Sequence, residues 1–482
     1  MKFNYLMKRT IDQSYEHFIE LDPFVFNYDT DSLAAQATDG EKTVIAYGKI
    51  IDSRNPDLTE QAIVEKLAQA KDSVQLVEWT EYMAGRYVLI YQNTKELILF
   101  PDATCSVPIF YSVIENKWLI SSKQKTIADA LELPMSDASV EIKSQAEEQQ
   151  PLPYDRSMYE GIRVVIPNHF LNVKDQRAKR FFPIRELESR SVDEVIKETI
   201  TLTQNVVDSY MMEDDLVIPL TAGKDSRLIL SFFKKYQDRI QLYTFDHQPK
   251  EAEPDDIKIP RQLTSRLGLS YQVLPRVQMD DETFKSFVNY FSGTQNRRIL
   301  ENALTLKQSG LKSSRFVTGD IIPIVKSNFG KKLPESLATT NYLVTKTHNY
   351  SDENKRIVRQ WRKNVKKHAH ENGVSLFDLF FWESRLGRWL PNNMSNYDTM
   401  SDPVLIFNNR RLIESWISIP REQRVDTDFH EQIISRLWPE LLDIPLTSGT
   451  GLVNDLTRNS YVYYGATFFK YYLKKIQKVI QH

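Results

Sequence analysis

One cysteine, Cys105, is all that 482 residues contain. A disulfide framework, an iron–sulfur cluster and a thiolate zinc site within one chain are therefore excluded. Cys105 sits in the apolar stretch Ala103 to Tyr111 and reads as a small packed hydrophobe. An excess of one charge is also missing: 62 Lys and Arg stand against 64 Asp and Glu, a formal net charge of −2. No global field draws the chain to nucleic acid or an anionic membrane, and no basic stripe stands out. No apolar run approaches the roughly 18–20 residues of a membrane helix. Met1 to Lys8 lacks the apolar core and small-residue cleavage site of a secretory signal, so the expected location is the cytoplasm. Glycine is scarce, 15 in all, which makes each glycine in a turn informative.

What is present is a globular composition, 41% hydrophobic and 26% charged, too apolar for disorder. The length suits roughly two to three domains with large cores and no metal staple. Up to about residue 183 the pattern is mostly β. Thr43–Ile51 is a strand candidate, and Tyr87–Tyr91 with Glu96–Phe100 reads as a hairpin. Val107–Val113 pairs with Lys117–Ser122, Arg163–Val173 reads as a last strand pair, and one helix over about 57–70 interrupts them. This predicts an α+β region of layered antiparallel sheets. The polar, proline-bearing stretch 137–157 reads as an exposed loop.

A boundary near residue 185 separates 1–185 from 186–482. Ser191 with Glu194 fits a helix start, and Asp215–Leu220 is a short buried strand. Then follow a helix over 226–236, a strand over 240–245, a helix over 257–267 and a strand over 271–274. That alternation predicts an α/β parallel sheet, and from about 281 onward the chain reads mostly helical.

The informative segment is Leu220-Thr221-Ala222-Gly223-Lys224-Asp225-Ser226, where a buried strand runs through small and polar residues into a helix. Open α/β sheets bind ligands at the carboxyl ends of their strands. Backbone N–H groups and the hydroxyls of Thr221 and Ser226 can hold a phosphate, and Ala222 and Gly223 let the backbone approach it. Asp225 would repel phosphate unless a cation lies between, and Mg²⁺ is the simplest such cation. The pattern is not a Walker loop. A plain capping turn, with Thr221 or Asp225 as cap, is the competing reading.

This loop resembles the PP-loop of the asparagine synthetase family, Ser-Gly-Gly-x-Asp-Ser, keeping Gly223, Asp225 and Ser226. Further stretches resemble the family in order: Leu242–Phe245, Ile257–Leu269, Phe316-Val317-Thr318-Gly319-Asp320, and Phe407–Leu412 with Ile419-Pro420 and Arg424. Met83–Tyr87, Phe100-Pro101-Asp102, Val107–Tyr111 and Ile166–Leu171 resemble the family's glutamine amidotransferase domain. The resemblance implies an Ntn amidotransferase-like N-terminal scaffold and a HUP-like, PP-loop C-terminal domain. It implies ATP held by Leu220 to Ser226, Phe245, Thr318 and Gly319, with Mg²⁺ on Asp225 and Asp320. A surface Asp in a turn is an equal reading of Asp320.

Three departures matter. Lys2 stands where the family's glutaminases carry a nucleophilic cysteine, and an ammonium cannot replace a thiolate, so no glutaminase activity is expected. Gly319-Asp320 is followed by Ile321-Ile322 instead of the usual acidic ending. The stretch Ile444–Leu452 lacks the family's lysine; Lys224, Lys326, Lys331 or Lys332 could supply positive charge, although each is more often a solvated lysine.

The implied reaction is adenylation of a substrate carboxylate, releasing pyrophosphate, then displacement of AMP by an amine. The partners are a small-molecule or peptide carboxylate and an amine donor, with no nucleic acid and no membrane. β-Lactam synthetases and lasso-peptide cyclases, the latter with a precursor peptide, are relatives that close rings this way; others amidate sugar acids of surface polysaccharides. A non-catalytic binding protein is the alternative. A different PP-loop enzyme acting on tRNA is disfavoured by the net charge of −2.

Glu383 and Tyr397 are considered together as a catalytic base, against a salt-bridged surface Glu and a packed Tyr. Arg385 is a candidate carboxylate binder. Lys363–His370 reads as a solvated helix face, and His169 and His247 are isolated.

Overall fold

The computed structural model describes residues 2–29, 34–137, 139, 152, 154–246, 253–313, 315–347, 349–445 and 459–480. His247, positions 446–452 of the expected C-terminal loop and most of the loop 137–157 lie outside them.

The strands in chain order are β1 (Tyr5–Lys8), β2 (His17–Leu21), β3 (Phe24–Tyr28), β4 (Ala34–Asp39), β5 (Lys42–Asp52), β6 (Met83–Gln92), β7 (Leu97–Pro101), β8 (Phe110–Ser112), β9 (Ile120–Ser121), β10 (Ile162–Val164), β11 (His169–Asn172) and β12 (Arg177–Arg180). They form two antiparallel six-stranded sheets, ordered β10-β8-β9-β1-β3-β2 and β12-β11-β7-β6-β5-β4. Alternation along β5 shows why the sheets layer. Ile45 and Tyr47 face the first sheet and pack with Tyr5, Phe26 and Ile120. Val44 and Ala46 face the other way, onto Ile63, Leu67 and Leu76 of two covering helices.

The first of those helices, Glu60–Ala68, lies within the expected helix over about 57–70, and the second, Ser73–Trp79, is one the sequence pattern does not single out. The break follows from capping: the Asp72 carboxylate accepts from the Gln75 N–H at 2.9 Å and starts a new helix. The expected pairing within Arg163–Val173 is corrected. β10 pairs with β8 in the first sheet, whereas β11 pairs with β7 and β12 in the second, so the intervening turn crosses between layers. Strands β1 to β4, which the sequence pattern does not single out, complete the sheets.

The helix Val192–Glu213 starts as expected with a reciprocal Ser191–Glu194 capping box. Beyond it β13 (Val217–Pro219), β14 (Gln241–Asp246), β15 (Tyr271–Pro275), β16 (Arg315–Val317) and β17 (Asp402–Val404) build a parallel sheet ordered β15-β14-β13-β16-β17. The expected helix 226–236 is two pieces, an α-helix Lys224–Ser231 and a 3₁₀ turn Lys234–Tyr236. The largest core gathers residues from both halves: Ile51, Ala84 and Phe182 pack into the cluster that holds Val217, Ile229 and Trp382.

Candidate functional site

The sheet order places the site. From β13 the chain winds outward through β14 to β15, then returns to lay β16 on the other side of β13. The loops leaving β13 and β16 therefore diverge, opening a crevice at the carboxyl ends of neighbouring parallel strands. Thr221–Ser226 leaves β13 and Thr318–Asp320 leaves β16, so the two expected loops are neighbours. Gly319 makes their approach possible: a Cβ there would sit 2.9 Å from Ile229 Cδ1 on the helix that follows the first loop. Phe245 lies near the end of β14, on the opposite side of β13, edge-on to Tyr243 with ring centroids 5.2 Å apart.

The helix Lys224–Ser231 begins in this crevice. Its N-cap is Gly223, and no side chain caps it. The loop hydroxyls instead hold the turn. Thr221 N–H donates to Ser226 Oγ at 3.0 Å, and Gly223 N–H donates to Thr221 Oγ1 at 3.3 Å. The plain capping turn is thus not how this helix starts. Uncapped N–H groups with the positive end of the dipole suit an anion. One loop amide is already engaged, since Ala222 N–H donates to Asp256 Oδ1 at 3.1 Å.

Asp225 has its countercharge within the protein. Lys326 Nζ donates to Asp225 Oδ1 at 2.6 Å, and His430 Nε2 lies 2.9 Å from the same oxygen, without the alignment of a good hydrogen bond. Burial opposes ionisation of Asp225, but His430 and Lys326 outweigh it and hold the carboxyl at about 2. His430 is itself pushed down by burial, only partly offset by Asp225. Lys224 Nζ reaches Asp428 at 2.5 Å and Glu431 at 2.6 Å, and Lys332 pairs with Asp426. Lys331 sits 4.2 Å from the Tyr463 ring centroid, and burial lowers its pKa. Asp320 Oδ2 accepts from Thr318 Oγ1 at 2.9 Å; burial raises its pKa, with Thr318 and Arg385 pulling the other way.

Asp225 and Asp320 stand on neighbouring strand-end loops and are oxygen donors of the kind magnesium takes. Lys326 already occupies Asp225 Oδ1, so a metal there would compete with its ammonium. Among the described residues no group of three or more His, Cys, Asp or Glu side chains could hold a metal by itself. A metal here would need ligands from a bound phosphate.

Several residues singled out from sequence have structural work. Glu383 is buried, not at the surface: it is paired with Arg180 and accepts from Trp361 Nε1 at 2.8 Å and Asn168 Nδ2 at 3.1 Å. Tyr397 packs on Phe316, ring centroids 4.7 Å apart, and burial pushes its hydroxyl up to about 12. The two do not form an acid–base pair. Arg385 lies over the Trp389 ring, its guanidinium carbon 3.7 Å from the centroid. His169 is buried, with Nδ1 2.9 Å from the Pro167 carbonyl, and burial drops it to about 4. Lys363, Lys366, Lys367, His368 and His370 line the exposed face of the helix Asp352–Glu371, as expected. Lys2, which the resemblance aligns with a glutaminase nucleophile, pairs with Asp402 at 2.5 Å. Sequence reasoning misses His430 and Asp428; nothing in their local pattern connects them to a loop so far away in the chain.

No family model and no curated protein sequence matches the chain. Solved structures are similar at a low level, three of them as follows. Glutamine phosphoribosylpyrophosphate amidotransferase from B. subtilis, complexed with ADP and GMP, is 10% identical with a TM-score of 0.23, over 63% of each chain. A structure described as the allosteric regulatory enzyme of purine biosynthesis is 10% identical with a TM-score of 0.24, over 56% of this chain and 64% of that one. Glutamine-dependent NAD⁺ synthetase from Acinetobacter baumannii, in complex with ADP, is 11% identical with a TM-score of 0.18, over 37% of this chain and 38% of that one. The chain thus spans less than two thirds of each, and similarity at this level carries no argument about activity.

Proposed function

We propose that the chain is an ATP-dependent, AMP-forming ligase that joins a carboxylate to an amine, with residues 1–185 as a scaffold and 186–482 as the nucleotide-binding part. The observation that carries this reading is the uncapped helix start at Gly223, beside the Asp225–Lys326 pair, in the crevice between β13 and β16. The loop N–H groups would cradle the phosphates, and Phe245 would flank the base. Lys326 sits where it can neutralise charge on departing pyrophosphate once a phosphate competes for it. The acyl phosphate anhydride so formed gives the carboxyl carbon a good leaving group, and an amine displaces AMP. Magnesium belongs to the same proposal: Asp225 and Asp320 would hold it with phosphate oxygens, and it would supply further charge neutralisation.

ATP–pyrophosphate exchange over a panel of carboxylic acids tests the reading. Asp225→Ala is expected to lower exchange by about a hundredfold or more, because Lys326 loses its anchor and the loop its cation site. Unchanged exchange in this variant would remove the assignment. Glutamine supplied with ATP is expected to release no glutamate, since Lys2 cannot act as a thiolate; measured glutamate would overturn that point.

The second reading is a binding protein without ligase activity. It is favoured by one observation: Lys224 and Lys326 are both held by carboxylates. Nucleotide binding without exchange over the panel would support it. The acyl partner, whether a ring-closing peptide, a lactam precursor or a sugar acid, is left to the panel to identify.

A further inference from the structure

Most exposed large hydrophobic side chains among the described residues stand singly, as Ile11, Phe18 and Val74 do, and need no explanation. One helix departs from that. On Ser460–Ile480, the side chains of Tyr461, Val462, Phe469, Tyr472 and Leu473 are all exposed, Phe469 at 68% and Tyr461 at 62%. At a helical turn of about 100° per residue these five positions fall within an arc of roughly 120°. Gly465, also exposed, falls in the same arc. The result is an outward apolar face that runs for more than three turns.

The opposite face is already covered. Tyr464 stacks on Tyr342 with ring centroids 4.6 Å apart, Phe468 lies 6.0 Å from the same ring, and Tyr471 lies 5.4 Å from Tyr350. One packed face is enough to seat a helix on a protein. A second apolar face left in water is costly and marks a contact surface.

Charge says what meets it. Residues 459–482 contain Lys470, Lys474, Lys475 and Lys478 and no Asp or Glu. This excess follows from the sequence alone, and the balanced total of −2 for the whole chain hides it. A second basic helix starts beside the first: Tyr350 shortly precedes Asp352–Glu371, which exposes Arg359, Lys363 and Lys366. Aromatic and aliphatic side chains on one face, in a segment rich in lysine, are the pattern of a helix lying in the plane of a membrane interface. Pairing the helix with its copy in a second chain would set four lysines against four, and like charge disfavours that.

We propose that the helix Ser460–Ile480 lies along an anionic lipid surface, with Tyr461, Val462, Phe469, Tyr472 and Leu473 inserted where headgroups meet acyl chains. The lysines of the segment supply the attraction to the headgroups, and the apolar face supplies the depth. Such a helix rests on the bilayer and does not cross it. The proposal does not rest on the β13–β16 crevice or on nucleotide binding there.

Flotation of the full chain with vesicles tests it, one set of phosphatidylcholine alone and one with about 30% phosphatidylglycerol. The chain is expected to float with the anionic vesicles, and to bind the neutral ones at least about tenfold more weakly. Replacing Lys474, Lys475 and Lys478 together by Gln is expected to weaken anionic binding by about tenfold or more and to close most of the gap between the two sets. Phe469→Ser combined with Leu473→Ser is expected to weaken binding to the anionic set by about tenfold while keeping the parent's thermal transition, because both side chains are exposed. No flotation with anionic vesicles would overturn the proposal, as would equal binding to the two sets or unchanged binding in the serine variant. A chain that self-associates without vesicles and is made monomeric by the serine substitutions would also overturn it, since the face would then belong to a second copy. The glutamine variant keeps the test decisive if the serine variant folds poorly.

Discussion

Asp225 shows how a single side chain can carry two chemical meanings. In the proposed phosphate loop a carboxylate demands a cation, and Lys326 within the protein supplies one. The carboxyl is held at about 2, so its charge persists through any pH at which the protein is handled. Glu414 behaves in the opposite way. Burial raises it to about 7, with Glu81 adding to the effect and Arg410 opposing it. Its folded value lies above the ordinary carboxylate range of about 4.3. The folded state therefore keeps a proton that the unfolded state has given up, and stability falls as pH rises from about 4 through 7. Glu414→Gln removes that dependence. Urea melts should show the variant gaining about 1–2 kcal/mol on the parent between pH 5 and pH 8; a difference that is flat with pH would show that Glu414 is ionised when folded.

At the level of an element, the π-helical stretch Phe381–Trp389 organises much of the interface. Its wider turn sends Trp382 to the Ala103 carbonyl at 2.8 Å, Glu383 to Arg180, Arg385 toward Asp320 and Arg388 to the carbonyls of Leu152 and Arg156. Gly387 lets this turn lie against the sheets: a Cβ there would be 2.1 Å from Pro167 Cδ, which sits in a ring that cannot swing away. Gly387→Ala should therefore cost about 1–3 kcal/mol in thermal or denaturant melts. Full stability in that variant would mean the turn can shift without strain. The residues of this element are visible in the sequence, but their directions are not. A lone glutamate is usually a surface residue, and only the convergence of Arg180, Trp361 and Asn168 makes the burial of Glu383 tolerable.

Across the whole molecule, the stretches that resemble amidotransferase motifs serve to join the two halves. Arg86 and Asp398 form a bidentate pair at 2.8 and 2.8 Å, 3% and 2% exposed. Asn408 donates to Asp102 Oδ1 at 2.8 Å and to the Gly85 carbonyl at 2.6 Å, and Asn409 donates to Ser53 Oγ at 2.8 Å. Lys2 ties β17 to the N-terminal segment through Asp402. Removing one partner of a buried pair leaves an unanswered charge. Arg86→Met should cost about 3–5 kcal/mol, and adding Asp398→Leu should recover most of the loss. Separate unfolding of the halves in Arg86→Met would show that these contacts couple them, whereas an unchanged single transition at the parent midpoint would show that they contribute little. No helix among the described residues is long and apolar enough to cross a membrane.

The short apolar runs in residues 43–51 and 87–100, the Ser191 capping box and the strand–loop–helix around Thr221 are legible in the amino-acid sequence by itself, because each is a signal carried by a few consecutive residues. The adjacency of the two loops follows only from the strand order, in which β16 returns beside β13. The Lys326 and His430 contacts to Asp225 and the assignment of β10 and β11 to different sheets join residues distant in the chain. Local pattern records which face a residue turns toward the core, whereas which other face it meets there is decided by packing, and it is packing that brings the charges around Asp225 together.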